Sequence, residues 1–121
     1  MKVTDLEFVI ENLTGSYKKF ANTLEEYPIL GVIYPTHYGY IKGYKSEDGH
    51  DLDVFIGNGN IFGAMIVNRD DAPNGIETKM LFGINNEELK AIKSKFEPVI
   101  NDLLISSTIE EFFEQLALFK R

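Results

Sequence analysis

The sequence predicts an α+β fold with its strands first and its helices last. Between residues 5 and 84, apolar residues fall in short β-branched or aromatic runs bounded by Gly, Pro, Asn and Asp. From residue 85 onward they recur at helical spacing instead. The chain has 121 residues and is 44% apolar, which suits one domain, 1–121, with a core of its own. That order of elements places helices over about 86–119 against a small sheet or barrel over about 5–84.

Residues 5–11 have a short apolar centre suited to a strand, and Asn12-Leu13-Thr14-Gly15-Ser16 is turn chemistry. Residues 17–27 are polar and weakly patterned, and read as loop or edge strand. Residues 29–34 form a buried strand stopped by Pro35. Residues 53–57 and 61–68 read as two strands, with Asn58-Gly59-Asn60 as the hairpin turn between them, because Asn and Gly tolerate positive φ. A loop over 69–75 leads to a strand over 76–84, one face of which offers Glu77 and Lys79. Asn85 with Glu88 fits a capping pair. Leu89, Ile92, Phe96, Val99, Ile100 and Leu103 then follow at helical spacing, with Pro98 expected to kink or split the helix. Ser107 with Glu110 repeats the start signal, and Ile109, Phe112, Phe113 and Leu116 make a second stripe. Both stripes read as core faces.

Composition excludes several functions. Nineteen acidic against twelve basic residues give a net charge of −7, which argues against a nucleic-acid partner or an anionic membrane surface. Without cysteine there are no disulfides, thiolate zinc sites or thiol nucleophiles. The N-terminus carries no apolar signal segment and no run reaches membrane-spanning length, so a soluble cytoplasmic protein is expected.

The chemistry concentrates at Glu47-Asp48-Gly49-His50-Asp51-Leu52-Asp53. Carboxylates packed this closely repel one another unless a cation sits among them. An EF-hand register would put Tyr44 and Phe55 at ligand positions, and neither binds calcium. The chain has no zinc-protease His-Glu-x-x-His, no nucleophile-elbow serine and no phosphate-cradling glycine loop. What remains is a hard-cation site of oxygen ligands that acts on phosphate. Asp48, Asp51 and Asp53 would form its floor. Glu77 and Asp70 or Asp71 would approach from later strands, and Lys79 would neutralise a phosphate oxygen. A solvated acidic turn is the competing reading of the same spacing.

Tyr34-Pro35-x-x-Tyr38-Gly39-Tyr40-Ile41 followed by Asp48-Gly49-x-x-x-Asp53-Val54 resembles the soluble inorganic pyrophosphatases. That resemblance implies an OB-like antiparallel β-barrel with C-terminal helices packed against it, and Mg²⁺-dependent hydrolysis of pyrophosphate. Asp48, Asp53 and Glu77 would hold the first Mg²⁺, with Asp53 bridging to a second. Asp70 or Asp71 would bind ions arriving with the substrate. Lys19, in Gly15-Ser16-x-x-Lys19-Phe20, would contact phosphoryl oxygens together with Tyr38 and Lys79, and Glu11 matches an outer-shell glutamate. The sequence also departs from the family pattern. The motif's middle aspartate, which positions the attacking water, is His50. An acid after the phosphate-binding lysine is Ala21, a phosphate-gripping arginine is Glu26, and a late Tyr-Lys pair has no match. Asp51 as a stand-in, or His50 as the base, are the two ways to replace the lost aspartate. A weak hydrolase is therefore expected, with an altered-substrate or non-catalytic relative as the alternative. Exposed strand edges on a shortened barrel favour a homo-oligomer.

Overall fold

A computed structural model describes residues 2–19, 31–70 and 74–120, without the side chains of residues 4, 17–19, 31 and 32. The described strands are β1 (Phe8–Asn12), β2 (Tyr17–Lys19), β3 (Gly31–Ile33), β4 (His37–Lys45), β5 (Asp51–Ile56), β6 (Ile61–Asn68), β7 (Ile76–Ile84) and β8 (Ile100–Ser106). Helix α1 (Asn86–Phe96) precedes β8, and α2 (Ile109–Ala117) follows it. Six strands form one mixed sheet in the order β1-β4-β5-β7-β6-β8, while β2 and β3 pair as a separate ribbon. Within the sheet β5 and β7 run parallel, and the other neighbours run antiparallel.

Alternation along the strands sends side chains to two faces, and both are covered. On one, Tyr38, Phe55, Met65 and Leu81 pack under Ile92 and Phe96 of α1. On the other, Leu52, Val54, Ala64 and Met80 pack under Phe112 and Leu116 of α2. A strand buried on both faces is apolar almost throughout, which is how residues 52–56 and 80–84 read. Helix α1 starts with a reciprocal cap: Asn85 Oδ1 accepts from the Glu88 N–H at 2.8 Å, and Glu88 Oε1 accepts from the Asn85 N–H at 2.9 Å. The same Glu88 oxygen accepts from the Asn58 N–H at 2.9 Å, stapling the β5–β6 connection to the helix.

The α+β class and the helices packed on strands agree with the sequence reading, and four details differ. The sheet does not close into a barrel among the described residues; β1 and β8 are its edges. A closed barrel buries one face of its sheet, whereas here a helix covers each face and the core is built in layers. Nor do β5 and β6 form a hairpin. The Gly57 and Gly59 N–H groups donate to the carbonyls of Phe82 and Gly83, so the loop crosses the end of β7 and delivers β6 to its far side. A Cβ on Gly59 would lie 2.5 Å from the Asn85 backbone, so Asn58-Gly59-Asn60 marks a close approach. The supposed helix through Ile100 and Leu103 is strand β8. Pro98, in a 3-10 turn over Glu97–Val99, ends α1. Every third position of β8 up to Ser106 is sheltered, which mimics helical spacing on an edge strand. Finally, residues 37–45, to which the sequence reading assigns no element, form the long strand β4.

Candidate functional site

Four strands converge a set of charges on the α1 face of the sheet. Asp53 of β5 stands beside Lys79 of β7 because the two strands are parallel in that register. Glu77 lies two residues before Lys79 on the same face. Tyr38 comes from β4 on the other side of β5. Just past β6, the Arg69 N–H donates to the Gly75 carbonyl at 2.8 Å, which fixes its backbone opposite the start of β7.

Lys79 is the hub. Its Nζ donates to Tyr38 Oη at 2.7 Å and to Asp53 Oδ2 at 3.0 Å, and lies 3.6 Å from Glu77 Oε1. Arg69 Nη1 donates to Glu77 Oε2 at 2.6 Å. The Lys79 side chain is 9% exposed and that of Glu77 6%, while Arg69 at 32% sits nearer the solvent. Tyr38 stacks on Tyr34 at 4.6 Å between ring centroids, which buttresses the hydroxyl from behind.

Electrostatics follow from this packing. Burial opposes the Lys79 ammonium, but Tyr38, Asp53 and Glu77 outweigh it and hold the pKa well above the ordinary lysine value. Burial also opposes ionised Asp53, yet Lys79 and the hydrogen bonds from Tyr38 and Lys79 lower its pKa. Burial, reinforced by the Asp53 charge, raises Glu77 despite Lys79 and Arg69. Tyr34 is pushed up to about 12, chiefly by burial. Asp53 thus ionises more readily than an ordinary carboxyl, and Glu77 less readily.

Of the residues singled out in the sequence, Tyr38, Asp53, Glu77 and Lys79 come together. Asp48 instead accepts from the His50 N–H at 2.9 Å within its own turn. Asp51 pairs with Lys45 at 2.7 Å. His50, Asp70 and Glu11 are exposed. The Lys19 backbone pairs with Gly31, but its side chain is outside the described set, as are Ala21, Glu26 and Asp71. Among the described residues no three His, Asp or Glu side chains form a group that would hold a metal ion. The expected cage of Asp48, Asp53 and Glu77 is therefore not assembled. The Asp48 carboxylate is spent on a turn whose neighbour Glu47 anchors it elsewhere: Glu47 accepts from the Thr78 N–H at 2.9 Å and from Thr78 Oγ1 at 2.6 Å. The carboxylate pair still suits Mg²⁺. That ion is commonly held by one or two carboxylates, retained waters and substrate phosphates, and Asp53 and Glu77 supply two carboxyls from neighbouring strands on one face of the sheet.

A family model described as inorganic pyrophosphatase matches residues 1–112. The chain belongs to the inorganic pyrophosphatase family. No curated protein and no solved structure matches it. The pyrophosphatase match extends beyond the two motifs, through α1 and β8 and into α2. Pyrophosphatases of this family generally use Mg²⁺. Among the described residues no helix is long and apolar enough to cross a membrane.

Arg69 is the site residue that sequence reasoning missed, and Glu47 and Tyr34 lay in the quoted stretches without a role of their own. For Arg69 a signal existed: it has the parity of Met65 and Val67, which face Lys79 and Glu77 across the β6–β7 ladder. Reading β5–β6 as a hairpin hid that ladder.

Proposed function

We propose that this chain hydrolyses inorganic pyrophosphate slowly and in a Mg²⁺-dependent manner, with its chemistry at Tyr38, Asp53, Glu77 and Lys79. The observation that carries this reading is the buried Lys79 ammonium, fixed by Tyr38 and Asp53 beside the Asp53–Glu77 carboxyl pair in a chain of this family. Asp53 and Glu77 would hold Mg²⁺, which when bound supplies charge neutralisation and an acidified water. Lys79 donates to Tyr38 and Asp53 and lies 3.6 Å from Glu77, and its third N–H would turn from Glu77 to a phosphoryl oxygen. Because the ammonium is already oriented and dry, it needs no reorganisation as charge builds on that oxygen. Lys19 would add a second phosphate contact, and Asp70 or Asp71 would take ions that arrive with the substrate.

Slowness follows from the position that carries His50. The residue meant to orient the attacking water is exposed, and Asp51 is committed to Lys45. Loss of a positioned base commonly removes about 10²–10⁴ in rate. The second reading is a pyrophosphatase relative that binds a phosphoanhydride without cleaving it, or cleaves another one. The engagement of Asp48 in its own turn favours it. Either way, the proposal takes 1–121 as one cytoplasmic domain, open to self-association at a sheet edge.

Phosphate release from pyrophosphate with Mg²⁺ tests the proposal. Wild type should turn over slowly, Asp53→Asn should lose at least about a hundredfold, and His50→Asp should raise the rate. Mg²⁺ binding without phosphate release would favour the binding reading, and a parallel screen of nucleoside polyphosphates would reveal a changed substrate.

A further inference from the structure

We infer that His37 is a positioning residue for the Tyr38–Lys79 pair. Its ring latches the turn around Thr14 onto the start of β4, and so holds Tyr34 in its stack against Tyr38. Only the catalytic consequence of this latch rests on the pyrophosphatase reading. Lys79 is aimed by Tyr38, whose Oη accepts from Nζ at 2.7 Å and whose ring centroid lies 5.2 Å from the same atom. Tyr38 in turn leans on Tyr34, with 4.6 Å between ring centroids and 20° between ring planes. In the chain these two rings are separated by Pro35, Thr36 and His37 alone, so their stack depends on how that short segment folds back.

His37 closes that fold. Its Nδ1 accepts from the Thr14 N–H at 3.0 Å and lies 3.1 Å from Thr14 Oγ1. A ring nitrogen that accepts a backbone N–H carries no proton of its own, so the neutral ring keeps its proton on Nε2. The same turn grips Tyr34 by both backbone groups. The Gly15 N–H donates to the Tyr34 carbonyl at 2.7 Å, and the Tyr34 N–H donates to the Ser16 carbonyl at 2.9 Å. Thr36 Oγ1 adds a bond to the His37 carbonyl at 3.0 Å, inside the segment. One turn therefore clamps the segment from Tyr34 to His37 at both ends. That turn follows directly from β1, whose Asn12 pairs with Tyr38. The latch thus acts on Lys79 through two stacked rings. A donor held in place before charge develops lowers the barrier, so loosening it costs rate in the chemical step more than it costs substrate binding.

Three substitutions test this. His37→Asn keeps an acceptor in the place of Nδ1, His37→Phe keeps a ring without one, and His37→Ala keeps neither. The first readout is the NMR signal of the Lys79 ammonium, which needs neither substrate nor metal. His37→Phe and His37→Ala should shift and broaden it, and His37→Asn should leave it as in wild type. The second readout is phosphate release from pyrophosphate with MgCl₂. His37→Phe and His37→Ala should lower kcat about two- to tenfold, the scale of one hydrogen bond, with KM little changed. His37→Asn should restore kcat. A Lys79 signal that ignores all three substitutions overturns the inference, and so does His37→Asn behaving like His37→Ala. Wild type that releases no phosphate, with a Lys79 signal that still follows His37, sinks the pyrophosphatase reading and leaves the positioning role standing.

Discussion

Glu47 shows how one carboxylate decides where a whole acidic stretch sits. Burial alone would raise its pKa, but hydrogen bonds from Thr78, Ser46 and the backbone lower it below the ordinary 4.5. An acid lowered in the folded state stabilises the fold fully above its ordinary pKa, and that contribution drains away as pH falls through the lowered value. Glu47→Gln should therefore destabilise the protein near pH 7, and the gap from wild type should close as the pH falls below the ordinary carboxylate range in urea titrations. A gap independent of pH would mean that the Thr78 contacts do not depend on the charge. At this scale the sequence was partly legible. Tyr38, Asp53, Glu77 and Lys79 stood out because two motifs and one alternating strand carried them. Glu47 and its partner Thr78 are 31 residues apart, and Arg69 meets Glu77 across two strands whose pairing no local spacing reveals.

Element pairing is where local reading stopped. Apolar alternation marked β5, β6 and β7 as strands, but alternation says which face is buried and nothing about the neighbour. The parallel β5–β7 pair that sets Asp53 beside Lys79 is a non-local choice, and it could be seen only once the loop over 57–60 was known to cross β7. The β1–β4 pair is similar. Gly39 sits so close to β1 that an added Cβ would lie 1.8 Å from the Val9 carbonyl oxygen. Gly39→Ala must push β1 off the sheet, with a cost of about 1–3 kcal/mol, the usual range for overpacking. Hydrogen exchange should show β1 amides losing protection while β7 amides keep theirs. Equal loss across both strands would mean that β1 is not a separable edge.

Across the whole molecule, layering separates stability from chemistry. The charge cluster lies on the α1 face, whereas Phe112 of α2 is fully buried on the opposite face against Phe62 and Phe82. The onset of helix could be read from the change in periodicity at residue 85, although β8 returns to the sheet between α1 and α2. The layered arrangement could not, because closure depends on whether the two edge strands meet. Removing a buried phenyl typically costs about 3–5 kcal/mol, a large share of the ~5–15 kcal/mol that holds a domain folded. Phe112→Ala should show a loss of that size without disturbing the carboxyl pair. Ligand linkage makes this measurable: a ligand at about a hundred times its Kd stabilises the folded state by about 2.7 kcal/mol, and Mg²⁺ is the ligand that the proposed function names. Wild type and Phe112→Ala should receive equal increments in denaturant titrations, while Asp53→Asn with Glu77→Gln should receive none. A Phe112→Ala protein that no longer responds to Mg²⁺ would mean that the sheet transmits strain from one face to the other. The site would then depend on α2 as much as on the strands that carry it.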